Sequence, residues 1–313
     1  MKTTTLFFAA SLLALVPISA HAKIERAVEK SFSVQPGGML TVETQGGNVR
    51  VETSNEPTVK VVAKQIIKAS TDSEADEILK KLTLSIEQRA DGVSATSKYE
   101  KKSAGFRWGS WPPVQVNFVV TVPSQYNVTL KTSGGNIHVA DLDGKAHART
   151  SGGNIELGKI TGNVDAGTSG GDVRLREGLA AVKLDTSGGN ISVERAIGVT
   201  ELDTSGGDIS IGSVENTLQA STSGGNVSAG IVGPLKGDCS LDTSGGNVRA
   251  KVSHDAAFNL DASTSGGDVK ADGLTITIEK GGVGRSKLAG KVNGGGPVLK
   301  MRSSGGNLII ETK

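Results

Sequence analysis

From Asn190 the chain alternates apolar and polar residues: Ile191 and Val193 against Ser192 and Glu194, then Leu202 between Glu201 and Asp203. Period 2 is the mark of a strand with one buried face. The same pair of short strands recurs around a Ser-Gly-Gly tripeptide, counted from the preceding residue at Thr132, Thr150, Thr168, Thr186, Thr204, Thr222, Thr243, Thr264 and Ser303. These starts are 18, 18, 18, 18, 18, 21, 21 and 39 residues apart. A fixed short period is the signature of a solenoid or array. The last gap is expected to hide one degenerate unit at Gly281-Gly282. Counted from the Thr, apolar residues fall at places 6, 8, 11 or 12, 15 and 17, as in Ile155, Leu157, Ile160, Val164 and Ala166, then Val173, Leu175, Leu179, Val182 and Leu184. These columns predict a stacked aliphatic core.

The Ser-Gly-Gly turn joins the second strand of one unit to the first strand of the next. Glycine suits such a corner because it tolerates positive φ and close backbone approach, and the Asn or Asp that follows can cap the corner with its side chain. Five buried aliphatics contribute about 10 kcal/mol per unit, against roughly 18 to 36 kcal/mol of backbone entropy for 18 residues. A unit therefore folds only by stacking. Coils about 4.8 Å apart make a rod whose two ends need protection from edge pairing. The strand from Leu308 to Lys313 is expected to be the final coil.

Residues 24–131 hold one early copy of the corner, Thr44-Gln45-Gly46-Gly47-Asn48, preceded by Leu40-Thr41-Val42. Between it and Thr132 the pattern predicts a helix from about Ser73 to Leu82 with Asp72 or Ser73 as N-cap. Strands are predicted at Val59 to Ile67, Leu82 to Gln88, Val93 to Ser97 and Val114 to Val122. The expected fold is an all-β, single-chain β-solenoid of 18 to 21-residue coils. Its regular repeats span 132–313 and continue from an irregular α+β N-terminal cap at 23–131.

Composition changes this picture little, but it narrows the setting. Residues 1–22 read as a secretory signal, with Lys2, an apolar stretch from Leu6 to Val16, and Ala20-His21-Ala22 as the cleavage site before Lys23. The expected product is exported, in the periplasm or else secreted or at the cell surface, with no transmembrane segment in the mature chain. The single Cys, Cys239, leaves no internal disulfide, and its alternation with Leu241 points it inward as a small apolar filler. Without Lys2 the charged residues are 33 Lys and Arg against 32 Asp and Glu, a near-neutral balance that argues against nucleic acid as a partner. With 43 Gly and only 3% aromatic residues, the glycines are spaced and framed by Ile, Val and Leu, which predicts repeated corners rather than a flexible linker.

The Pro36-Gly37-Gly38-Met39-Leu40-Thr41-Val42 segment, the strand end at Val122-Pro123 and the tandem Thr-Ser-Gly-Gly-Asn/Asp units resemble the bacterial putative-adhesin domain of unknown function, whose relatives include toast-rack β-solenoids. The resemblance implies a β-solenoid of the cell envelope, linked in some relatives to adhesion and in others to envelope-stress systems. It carries over no catalytic motif.

Several segments imitate catalytic motifs. Asp185-Thr186-Ser187-Gly188, Asp203-Thr204-Ser205-Gly206 and Asp242-Thr243-Ser244-Gly245 resemble the aspartic-protease loop, which works as two facing carboxylates sharing a proton. Sister units carry Arg149, Gly167 or Ser221 at that place, so an outward strand position explains them better. Gly167-Thr168-Ser169-Gly170-Gly171 matches a nucleophile elbow, but no helix follows, and His138 and His147 read as solvated. A corner column of Asp172, Asp208 and Asp268 alternating with Asn136, Asn154, Asn190, Asn226 and Asn247 could hold calcium, yet the calcium-roll motif is absent and side-chain ladders explain it. A polysaccharide-acting enzyme would need a focused groove, whereas the column His138, Glu156, Arg174, Ser192, Ser210, Ser228, Arg249, Lys270 is mixed. No catalytic residue, metal site or cofactor is therefore assigned. The candidate contact residues are Phe106, Trp108 and Trp111, beside Pro112-Pro113: their rings either cover the open end of the solenoid or meet a partner. The sequence reading is a non-enzymatic binding, adhesin-like or scaffolding protein whose partner is an envelope protein or surface glycan. Envelope-stress sensing and a polysaccharide-acting enzyme are the alternatives.

Overall fold

The computed structural model describes residues 23–100 and 113–312. The expected signal segment, 1–22, lies outside them. Among the described residues, ten parallel rungs with a Gly-Gly corner form the regular rod. Each contributes one strand to a 14-stranded sheet, turns at a Gly-Gly corner, and contributes a second strand to a 13-stranded sheet. The first rung is Met39–Thr44 with Val49–Ser54, and it stacks on Asn127–Thr132 with Ile137–Val139. The early copy of the corner is thus a full rung next to the regular array. The two inner faces pack aliphatic columns against each other, with Ile155, Leu157, Ile160, Val164 and Ala166 all at most 2% exposed.

One column differs from expectation. The inward residue is always the one at place 11 in the 18-residue coils, such as Leu142, Ile160, Ala196 and Val214. In the coil from Thr168 that place is Gly178, which leaves Leu179 half-buried. Val182 fills the space, because a Cβ on Gly178 would lie 2.4 Å from its Cγ2.

The corners carry two polar ladders. The Thr, or Ser303, that opens each corner of the regular repeats is buried and donates to the carbonyl of the second glycine one rung away: Thr186 Oγ1 to Gly171 O at 2.8 Å and Thr204 Oγ1 to Gly189 O at 2.9 Å. The same hydroxyl accepts from its own rung's second glycine, as Gly189 N does at 3.3 Å, so a buried polar atom is satisfied on both counts. Outside it, each Asn or Asp accepts the backbone N–H of its successor. The relay runs Asn117, Asn48, Asn136, Asn154, Asp172, Asn190, Asp208, Asn226, Asn247, Asn307 and Asp268. Both Asn and Asp serve, since each presents a side-chain oxygen. The two corner glycines are unequal. A Cβ on Gly189 would lie 1.9 Å from Gly171 O, whereas one on Gly188 would meet nothing closer than 3.7 Å. Close stacking, not positive φ, demands the second glycine; no glycine of the Ser-Gly-Gly corners has positive φ.

At the N-terminal end Val114–Pro123, Thr58–Lys68 and Lys23–Ser33 extend the 13-stranded sheet, while Gly92–Tyr99 and Leu82–Arg89 extend the other. All four strands predicted for the cap are present. Lys30 Nζ donates to Ile86 O at 2.9 Å, tying one edge strand to the other. The helix is Asp72–Leu79, shorter than expected and capped by Thr71 rather than Asp72 or Ser73. Thr71 Oγ1 accepts from Glu74 N at 3.2 Å, and Glu74 Oε2 accepts from Ser70 N at 2.8 Å, a reciprocal cap one residue earlier. Its buried Ala75 and half-buried Ile78 and Leu79 face the core.

At the C-terminal end two expectations fail. No degenerate coil occupies Gly281-Gly282: Ile276–Gly284 and Lys287–Val292 form an antiparallel hairpin. Nor is Leu308–Thr312 the final coil. The rung Val298–Ser303 with Leu308–Thr312 wedges between the rung Cys239–Thr243/Val248–Val252 and the rung Phe258–Thr264/Val269–Asp272. The hairpin explains both, because Lys287–Val292 pairs antiparallel with the outer edge of Phe258–Thr264 and leaves only its inner edge for another rung.

Candidate functional site

The sequence-predicted contact residues Phe106, Trp108 and Trp111 lie outside the described residues; in the chain they fall between the strands Gly92–Tyr99 and Val114–Pro123. Gly92–Tyr99 runs parallel to Met39–Thr44 in the 14-stranded sheet, and Val114–Pro123 runs parallel to Val49–Ser54 in the 13-stranded sheet. Ser97 pairs with Thr44, and the Asn117 side-chain oxygen accepts from Asn48 N at 2.8 Å, joining the corner relay. These two residues therefore stand where an ordinary rung has its corner Thr and Asn. Thr132 and Asn136 are 4 residues apart, Ser97 and Asn117 are 20 apart, and the difference is a 16-residue insertion at one corner. The Trp-bearing segment belongs to that insertion. Beyond this rung the rod continues through Thr58–Lys68, Lys23–Ser33 and Leu82–Arg89.

The motif look-alikes resolve into surface pairing. Asp185, Asp203 and Asp242 occupy one outward column of the 14-stranded sheet, in register with Arg149, Gly167 and Ser221. Asp185 pairs with Arg149 Nη2 at 3.4 Å across the intervening Gly167. A Cβ there would lie 2.6 Å from Arg149 Nη1 and 2.3 Å from Asp185 Oδ2. That crossing accounts for the first glycine of the elbow-like motif. Asp203 has no such cation; burial, then Glu201 and Asp185, raise its pKa while Lys183 opposes them. His147 Nδ1 lies 3.1 Å from Asp165 Oδ2 on one sheet, and His138 Nδ1 lies 3.3 Å from Glu156 Oε2 on the other. Each histidine meets an acid of the next rung, and the two stand on opposite faces.

The outward column from His138 to Arg249 is continuous in the 13-stranded sheet. The return rung breaks its expected end by placing Ile309 between Arg249 and Lys270. Its first part borders a shallow depression of about 530 Å3 whose floor includes Ala140 and Gly158 and whose walls carry His138, Glu156, Arg174, Arg176 and Glu194. Arg176 Nη2 pairs with Asp141 Oδ1 at 2.5 Å. The Asp141 carboxyl is held below its ordinary value, first by the Lys159 N–H at 2.9 Å and then by Arg176. Positive and negative groups alternate here, so the depression suits a polar surface rather than one focused charge. Cys239 is buried, and burial pushes its thiol pKa up, which makes it a packing residue.

The Toastrack DUF4097 profile matches residues 38–311. The chain belongs to this family. The matched span runs from the first rung to the return rung and takes in the corner insertion and the cap strands other than Lys23–Ser33. Among solved structures, this Toastrack chain is similar to a "putative adhesin" of Bacteroides fragilis at 12% identity and TM-score 0.39, covering 91% of this chain and 97% of that one. It is also similar to a "putative adhesin" of Parabacteroides merdae at 11% identity and TM-score 0.40, covering 92% and 97%. A third likeness is to a "putative lipid binding protein" of Parabacteroides distasonis, at 10% identity and TM-score 0.33, covering 92% and 97%. No curated protein matches the chain.

Proposed function

We propose that this Toastrack chain is an exported, non-enzymatic binding or scaffolding protein of the bacterial cell envelope, and that Phe106, Trp108 and Trp111 form its contact point. The observation that carries this reading is the corner insertion. Every other rung among the described residues turns this corner with 4 residues from its Thr or Ser to its Asn or Asp, and extra chain at one corner of a rigid scaffold is where binding residues concentrate. The end of the rod has its own covering strands, which removes the need for the aromatic rings as an end cap. The pairing of Asp185 with Arg149, His147 with Asp165 and His138 with Glu156 on open sheet faces supports a binding role over catalysis. Export rests on the N-terminal leader pattern, and among the described residues no helix is long and apolar enough to cross a membrane.

The test pairs Trp108→Ala with Trp111→Ala in the full chain. The expected outcome is an unchanged melting temperature with lost crosslinking to envelope components in fractionated cells. A large fall in melting temperature would instead make the rings part of the packing and sink the contact reading.

A further inference from the structure

A second site stands away from that insertion, where the first rung enters the 14-stranded sheet. The connector 34–38 and the turn 89–92 border a depression of about 440 Å3, within the roughly 300 to 1,000 Å3 typical of ligand clefts, with Tyr126 among its lining residues. The backbone around it is satisfied: Gly37 N donates to Gln125 O at 2.7 Å and Met39 N to Asp91 O at 2.8 Å. One side chain is not. Tyr126 is 0% exposed, yet its hydroxyl has no hydrogen-bond partner. A buried hydroxyl left unpaired is destabilising, and Phe would avoid that cost without changing the packing. Unpaired buried groups in a native fold therefore call for a reason, an absent ligand being one. Burial and the nearby Asp91 carboxylate raise the tyrosine's pKa, which keeps the hydroxyl protonated as a donor.

The rest of the lining fits one class of ligand. Arg89 and Asp91 are exposed and make no ion pair with a described residue, and Ser33 and Gln35 add a hydroxyl and an amide. Donors and acceptors of both kinds converge, and the exposed apolar lining is limited to Pro36 and Ala90. That is too little surface for an acyl chain, and a simple anion would meet Asp91. A ring of hydroxyls, each both donor and acceptor, matches the set.

We infer that this depression binds a saccharide unit. Tyr126 donates to a sugar oxygen, Asp91 accepts from adjacent sugar hydroxyls, and Arg89 donates from the rim. Gly38 is a positioning residue: a Cβ there would lie 2.7 Å from the Tyr126 ring, so only glycine lets the connector pass.

Saturation-transfer NMR on the full chain with glucose, galactose, N-acetylglucosamine and glucuronate, followed by calorimetry, tests the inference. At least one sugar binds, Tyr126→Phe weakens it tenfold or more without lowering the melting temperature, and Asp91→Asn weakens it too. Absence of transfer from all four sugars would overturn the inference. So would unchanged affinity in Tyr126→Phe, or a fall in its melting temperature, which would reveal an internal partner for the hydroxyl. Loss of contacts at Trp108 and Trp111 leaves these outcomes untouched, so the two readings fail separately.

Discussion

Between Val164 and Ile231 each rung stacks on the one just before it in the chain, whereas at the C-terminal end the order of stacking and the order of the chain part company. In the middle a rung finds its partner 18 residues away, in register from Val164↔Val182 through Thr204↔Thr222. At the end, Phe258–Thr264 pairs with nothing that precedes it and waits for Val298–Ser303. The corner chemistry is the same in both regions: Asn247 passes its side-chain oxygen to Asn307 and Asn307 to Asp268, although 60 and 39 residues separate them. Corner chemistry therefore makes rungs interchangeable without ordering them. Ordering comes from which edges remain free, and the hairpin decides that.

The largest effect expected from breaking this contrast is deletion of residues 298–313. Leu299, Met301, Leu308 and Ile310 are each 0% exposed; their loss removes on the order of 8 kcal/mol of apolar burial and leaves Phe258–Thr264 without its inner partner. Loss of the folded C-terminal end, read by limited proteolysis, is expected. Deleting residues 186–203 removes one 18-residue period from the middle, where Thr168 and Thr204 carry equivalent corners, and a shorter folded rod is expected by circular dichroism.

Next comes the corner itself. Gly189→Ala forces a Cβ to 1.9 Å from Gly171 O and is expected to cost several kcal/mol. Gly188→Ala beside it changes stability by less than about 0.5 kcal/mol. Thermal melts of the two variants separate stacking distance from turn conformation as the reason for the paired glycines.

Smaller still are the ladder residues. Thr186→Val strips a buried carbonyl and a buried N–H of their partner, at an expected cost of about 1 to 3 kcal/mol. Asn307→Ala removes the one side-chain link between the return rung and Asp268 N, about 1 kcal/mol. Equal losses for Asn190→Ala and Asn307→Ala in denaturant melts would confirm that the relay is blind to chain order.

The smallest effect concerns Asp203. Its folded-state pKa lies above the ordinary carboxylate value, so ionisation is harder in the folded chain, and stability falls as pH rises through the ordinary value toward the raised one. Asp203→Asn removes that penalty. At neutral pH it is expected to stabilise by a few tenths of a kcal/mol, a gain that disappears in melts run below the ordinary carboxylate pKa.

Much of this was legible in the alternation. The period of 18, the columns at Ile155, Leu157 and Val164, and the four cap strands followed from hydrophobicity and glycine spacing, because a rung's inward set is written in its own residues. The helix cap at Thr71 was missed by one residue, although Thr71 and Glu74 spell a capping pair. Leu179 was misplaced because Gly178 left no apolar mark at the inward place. The corner insertion also left a signal, Ser97 and Asn117 in corner roles, but the intervening residues hid the match. Tyr126 carried none, since a lone tyrosine before a strand says nothing about whether its hydroxyl finds a partner.

The sequence by itself determined the rungs: their length, which side of each strand faces inward, and the Thr or Ser and the Asn or Asp at every corner, all properties of residues close together in the chain. Only the tertiary structure decided how rungs from distant segments stack. Any rung edge with the same corner relay can accept any other, so the choice depended on the antiparallel hairpin occupying one edge of Phe258–Thr264. The unpaired hydroxyl of Tyr126 was likewise settled by packing, where the ring lies against Gly38 of the connector and borders the depression.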